Sequence, residues 1–182
     1  MLGIVVEGDY DAKAIPELIT RCLGSEIKII TRLCGGKGNL MKKFPGFLEE
    51  FRRLKQGAPI DQAFVICDAD KNAPDELLTV VRDKYANREY PFPVEPVIIV
   101  RELETWLLSD SAALSHVTGR RIAEINDSLE AIPDPKERLE RILRRHKIAY
   151  TAEIARQIAA ATNADTLAYR CPSFRNFRQV LQ

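Results

Sequence analysis

Two short acidic stretches carry residue types and spacings suited to chemistry. One is Asp68-Ala69-Asp70-Lys71, which follows directly on the apolar run Phe64, Val65, Ile66 and Cys67. The other is Glu7-Gly8-Asp9-Tyr10-Asp11, which follows Ile4, Val5 and Val6 in the same manner. A short apolar run bounded by polar residues reads as a buried parallel strand. Side chains just past its carboxyl end face the crevice in which open α/β sheets bind ligands. Carboxylates brought within about 6 Å of one another there are driven to protonate unless a divalent cation neutralises them. All-oxygen ligation suits magnesium or manganese, whereas zinc takes histidine or thiolate. Mg²⁺ or Mn²⁺ is the expected cofactor, with Glu7, Asp11, Asp68 and Asp70 around it.

The elements that must hold these residues alternate between strand and helix. After the first strand, Ile15, Leu18, Ile19, Cys22 and Leu23 repeat at helical spacing and Gly24 is a stop signal. Proline is tolerated only near a helix start, so the continuous helix is expected to begin close to Pro16, with Asp9 to Lys13 as a turn. A second strand is expected over Ile27 to Thr31. It runs into Cys34-Gly35-Gly36-Lys37-Gly38-Asn39, a glycine-rich loop without Walker spacing. Two readings stand: backbone N–H groups and Lys37 holding a substrate phosphate, or a tight turn needing positive φ. From Asn39, the residues Phe44, Phe47, Leu48, Phe51 and Leu54 predict a helix broken or kinked at Pro45-Gly46 and closing at Gly57. Pro74 opens a helix carrying Leu77, Leu78, Val81 and Tyr85. A loop follows from Ala86 to Pro96, and a fourth strand over Val97 to Val100. The fold class is α/β, with a four-stranded, mostly parallel sheet and helices on both faces, over residues 1–108.

The fourth strand delivers Arg101, Glu102 and Glu104 to the same edge. Both glutamates fit a helix's first turn, where the dipole favours them; the alternative makes Glu104 a further metal ligand. Lys37, Lys71 and Arg101 are the cations able to meet a substrate phosphate. Beyond Asp110 the texture changes to short helices, giving a helical extension over 109–182. Asp110 is placed to cap a helix over Ser111 to Val117. Pro135 opens one with Leu139, Ile142 and Leu143, Thr151 caps one with Ile154, Ile158 and Ala159, and Pro172-Ser173 begins the last. Arg141, Arg144, Arg145 and Lys147, and again Arg170, Arg175 and Arg178, form clusters that read as solvated helix faces or phosphate contacts. His116 and His146 sit singly.

The whole chain sets bounds. Its 182 residues carry 27 Lys plus Arg against 26 Asp plus Glu, a formal charge of +1, which argues against a generic polyanion coat and confines nucleic-acid contact to local patches. Cys22, Cys34, Cys67 and Cys171 show no C-x-x-C pairing and read as reduced thiols. No apolar run approaches transmembrane length and no leader is evident, so a cytoplasmic protein is expected.

The combination resembles a TOPRIM domain, the metal-dependent module of topoisomerases, bacterial primases, OLD-family nucleases and small RNA-processing nucleases. The resemblance rests on E-G-x-x-D, here Glu7, Gly8 and Asp11, and on D-x-D, here Asp68 and Asp70, each past a buried strand. The segments 101–110 and 170–175 are similar to small bacterial TOPRIM-like proteins associated with phage-defence ATPases. By resemblance, Glu7 is the general acid/base or a metal-bound carboxylate and Asp68 and Asp70 are metal ligands. Asp11 matches the second acidic position of the nuclease branch. The implied activity is a metal-dependent nuclease acting on nucleic acid, in phage defence or nucleic-acid processing. The alternative is a non-catalytic metal-binding subunit recruiting an ATPase partner. No zinc-binding or helicase segment accompanies the motifs, so primase and topoisomerase activities are not implied. A receiver-type phosphoacceptor fits less well, because the strand-one acid is a lone glutamate before glycine.

Overall fold

The computed structural model describes residues 1–24, 27–54 and 59–181. Its four strands are β1 (Leu2–Val6), β2 (Ile29–Leu33), β3 (Gln62–Asp68) and β4 (Val94–Ile99). They form one all-parallel sheet in the order β2-β1-β3-β4. Leu2 lies opposite Ile29 on one side and Gln62 on the other, so β1 and β3 leave the same edge side by side. Side chains alternate across the sheet as the strand period requires. Ile4, Val6, Phe64, Ile66, Val97 and Ile99 enter one core, and Val5, Ala63, Val65 and Cys67 the other.

Helices close both faces, as expected for the α/β class. Ala14, Ile15, Leu18 and Ile19 of α1 (Asp9–Leu23) cover the first face. The second is covered by α2 (Lys37–Arg53), through Leu40, Phe44, Leu48 and Phe51, and by α3 (Pro74–Asp83), through Val81. Gly3 is required by this packing, because a Cβ there would stand 2.7 Å from Phe51 Cε2.

Several boundaries differ from the sequence reading. Helix α1 begins at Asp9 and runs through Pro16; an interior proline costs about 3 kcal/mol, and burial of Ile15, Leu18 and Ile19, at roughly 1.5–3 kcal/mol each, outweighs it. Helix α2 is likewise continuous through Pro45, starting at Lys37 and not at Asn39; its expected end at Gly57 lies outside the described residues. β2 is shifted two residues along, to where its residues pair with β1. β4 begins at Val94 and includes Pro96, which an edge strand accommodates.

The carboxyl-terminal half comprises α4 (Leu103–Leu107), α5 (Ser111–Thr118), a 3-10 turn at Leu129–Ala131, α6 (Pro135–Arg145), α7 (Ala152–Ala161), α8 (Ala164–Arg170) and α9 (Pro172–Leu181). The caps read from sequence are in place: Asp110 accepts from the amides of Ala112 and Ala113, and Thr151 from that of Ile154. Helix α8 and the 3-10 turn had no strong sequence signal. This half is not a separate body. Its apolar residues continue the first core without a break, and α7 packs along α1. Trp106 is the rivet: its indole N–H donates to Ser173 Oγ at 2.9 Å, its ring stacks on Phe177 at 5.7 Å, and Phe177 meets Phe64 of the sheet edge-on at 5.5 Å. Among the described residues no helix is long and apolar enough to cross a membrane.

Candidate functional site

The two acidic motifs meet at the carboxyl edge of the sheet. Glu7, one residue past β1, is the hub. Its Oε1 accepts from the backbone N–H of Asp68 at 3.0 Å, tying the ends of β1 and β3 together. Its own carbonyl accepts from the N–H groups of Gly35 and Gly36 at 2.9 and 2.8 Å. Both glycines have positive φ, 80° and 108°. The tight turn needing positive φ is present, and these two amides are engaged by the Glu7 carbonyl. The backbone of Lys37 opens α2, while its side chain lies outside the described residues.

Asp11 sits in the first turn of α1, where its Oδ2 accepts from the Gly8 N–H at 2.9 Å. It is 8% exposed. Burial pushes its carboxyl up from 3.8 to about 6, against the lowering influence of the Gly8 hydrogen bond and the charge of Lys136. Asp68, the last residue of β3, is half-buried. Burial, and after it the charges of Asp11, Glu7, Glu104 and Asp70, hold its carboxyl well above the usual range. The tie between the two motifs is the Asp68 N–H to Glu7 contact, and the charges of Asp11, Glu104 and Asp70 also reach Asp68.

Asp70 is exposed, as is Lys71. The backbone reverses between Asp68 and Asp70 because Asp70 is in the left-handed region at φ 51°, paired with Arg101 at φ 67°. The Asp70 N–H donates to the Arg101 carbonyl at 2.8 Å, and Arg101 Nη1 donates back to the Asp70 carbonyl at 3.4 Å. Residues held in this region cost about 1–3 kcal/mol each and cluster at functional sites.

Glu104 is in the first turn of α4, as the bland sequence reading had it, yet it is only 4% exposed and its charge reaches Asp68. Its Oε1 accepts from the Tyr150 hydroxyl at 2.9 Å, and burial raises its pKa. Glu102 has a separate task, accepting from the Lys136 N–H at 3.2 Å.

Three residues of the site were not found by sequence reasoning. Tyr10 and Tyr150 meet with ring centroids 4.9 Å apart, and Lys136 Nζ stands 4.6 Å from the Tyr10 centroid. The Lys136 charge lowers the pKa of both Asp11 and Glu104. The only signal was position: Lys136 follows the helix-opening Pro135 and Tyr150 precedes the capping Thr151, so both lie at helix ends where a chain can turn toward the sheet.

Among the described residues no three acidic, histidine or cysteine side chains already stand at metal-clasping distance. The donor set is nevertheless entirely oxygen and strongly anionic, which fits a hard divalent cation and not zinc. Glu7, Asp11, Asp68, Asp70 and Glu104 are the carboxylates that make up this donor set.

Fold and site together define an α/β protein with a carboxylate-lined edge walled by two tyrosines and a lysine from its own helical half. Residues 6–182 match the family described as Domain of unknown function (DUF4276), and the chain belongs to that family. The match spans both the sheet and the helices that wall the site. No curated protein and no solved structure matches the chain.

Proposed function

We propose that this protein is a magnesium- or manganese-dependent phosphodiester hydrolase acting on nucleic acid, related in its edge chemistry to TOPRIM nucleases. The observation that carries this reading is the meeting of the two acidic motifs at the carboxyl edge, where Glu7 past β1 accepts from the Asp68 N–H at the end of β3 and Asp11 and Glu104 are buried carboxylates whose charges reach Asp68. Such an assembly is self-repulsive alone and becomes stable around a cation. Bound Mg²⁺ or Mn²⁺ supplies charge neutralisation for a phosphate and a more acidic water. The chain's own part is positional. Asp68 and Asp70 contribute ligand oxygens, and Asp11 and Glu104 add charge from the buried side. Glu7, fixed to the Asp68 amide, is placed to take or give a proton. Arg101 and Lys71 stand at the exposed rim for the remaining phosphate charge.

The test is cleavage of labelled single-stranded DNA, plasmid DNA and RNA with Mn²⁺, Mg²⁺ or EDTA. Wild type should cleave at least one substrate with metal and none with EDTA, and Asp68→Asn or Asp70→Asn should reduce the rate by roughly a hundredfold or more. Metal-dependent stabilisation without cleavage of any substrate would replace the enzyme by a metal-binding subunit of a larger complex.

A further inference from the structure

The helical half carries a second charged feature that the acidic edge does not use. Helix α6 presents Arg138, Arg141 and Arg145 at spacings of three and four residues, which puts them on one face. Facing them is the loop after α5, with Arg121 near its start. These four arginines, with Asn126 and His146, line a cleft of about 610 Å³, within the roughly 300–1,000 Å³ usual for ligand sites. Two carboxylates share the cleft, but each has a partner: Asp127 pairs with Arg138 and Glu124 with Arg170, both at 3.9 Å. Among the described residues Arg121, Arg141 and Arg145 form no ion pair. All three are exposed. Cations gathered on one concave surface repel one another until an anion bridges them, and planar guanidinium groups match phosphate oxygens in paired hydrogen bonds.

The other end of the same helix belongs to the acidic edge. The Lys136 N–H donates to Glu102, and its ammonium stands over the Tyr10 ring, on the side of α6 turned away from the arginines. At 1.5 Å per residue, Lys136 and Arg145 are separated by about 13 Å along the axis. We propose that the arginine cleft binds the phosphates of a nucleic-acid strand that crosses α6 to reach the acidic edge on the helix's other side. Repeated cations along one helix face suit a repeating phosphate chain, and the site at the far end has the chemistry to act on one. The cleavage half of this inference rests on the hydrolase reading; the binding half does not.

The experiment is anisotropy of a short fluorescein-labelled oligothymidylate titrated with the full chain in EDTA, where cleavage cannot occur. Arg141→Glu/Arg145→Glu should weaken binding by roughly tenfold or more and flatten the salt dependence by about 0.7 in log–log slope for each phosphate that is no longer neutralised. Arg175→Glu/Arg178→Glu, the same charge change on α9, should alter binding by less than about twofold, since rim charges away from the bound strand act only through the screened field. Arg141→Gln/Arg145→Gln, which keeps the stems and removes the charge, should also bind weakly and serves if the glutamate variant does not fold. Wild-type affinity in the glutamine variant, or equal losses from the α9 variant, overturns the proposal. Displacement of the oligonucleotide by polyglutamate at equal charge also overturns it, in favour of an acidic peptide. Tight, arginine-dependent binding with no metal-dependent cleavage keeps the cleft and sinks the hydrolase. Metal-dependent cleavage that ignores the arginines does the reverse.

Discussion

The acidic motif at the end of β1 and the one at the end of β3 are built differently. Past β1 the backbone fastens the side chains: Gly8 donates to Asp11, Asp68 donates to Glu7, and both carboxylates stay inside the edge. Past β3 the backbone turns instead. Asp68 is half-buried, Ala69 is buried, and Asp70 emerges into solvent from a left-handed residue clasped to Arg101. One motif is a fixed wall and the other a lip. On the proposed hydrolase reading, a site made this way would have its proton-handling and charge-setting groups pre-positioned, while the group able to follow a ligand is the exposed one.

The sharpest way to break this comparison is to separate holding from proton transfer. Glu7→Gln keeps an oxygen to accept the Asp68 amide, so it should retain fold and metal-induced stabilisation, the latter about 2.7 kcal/mol at a hundredfold excess over Kd. Its turnover should nevertheless fall by roughly a hundredfold or more. Asp70→Asn should lose both. Calorimetric Mn²⁺ binding and cleavage rates on the two variants decide the matter; equal losses of metal binding would make Glu7 a ligand of the same kind as Asp70.

A smaller effect tests the fixed wall through pH. The Asp11 carboxyl is higher in the folded chain, at about 6, than its ordinary 3.8. The native state therefore holds that proton more tightly than the unfolded chain, and Asp11's own contribution to metal-free stability falls as pH rises from about 4 to about 6, then levels off. At about 1.4 kcal/mol per pKa unit, Asp11→Asn, which preserves an acceptor for Gly8, should be more stable than wild type at pH 7 by about 1–3 kcal/mol and indistinguishable near pH 4. Urea unfolding in EDTA at the two pH values measures this. The same difference at both would mean that Asp11 is not the group responsible.

The smallest effect concerns the lip. Arg101→Gly removes the side chain that makes φ 67° costly and should raise stability by about 0.5–1 kcal/mol. A loss of stability would show instead that the guanidinium contact to the Asp70 carbonyl outweighs the backbone strain.

How much of this was legible depended on whether the signal was local. Strands, their order of appearance and the two acidic ends are written in short apolar runs, and the caps at Asp110 and Thr151 in single residues before periodic ones. The prolines misled as to where α1 starts and whether α2 breaks, because Pro16 and Pro45 weaken a helix locally while the buried faces that keep α1 and α2 continuous are tertiary. Glu104 could be given two roles from sequence; it is in the helix's first turn, and its burial and its Tyr150 partner carried no local signal. Tyr150 and Lys136 reach the site across more than a hundred residues, through the seating of α6 and α7 on the first core. No spacing along the chain encodes that.

The Trp106 rivet also gives the molecule an optical gauge. It is the single tryptophan in the chain, fully buried, hydrogen-bonded to Ser173 and enclosed by Phe174 and Phe177. Its emission therefore reads one event, the seating of α9 and the helical half on the sheet. An indole in that apolar enclosure emits at short wavelength, and water entering the seam shifts it to the red.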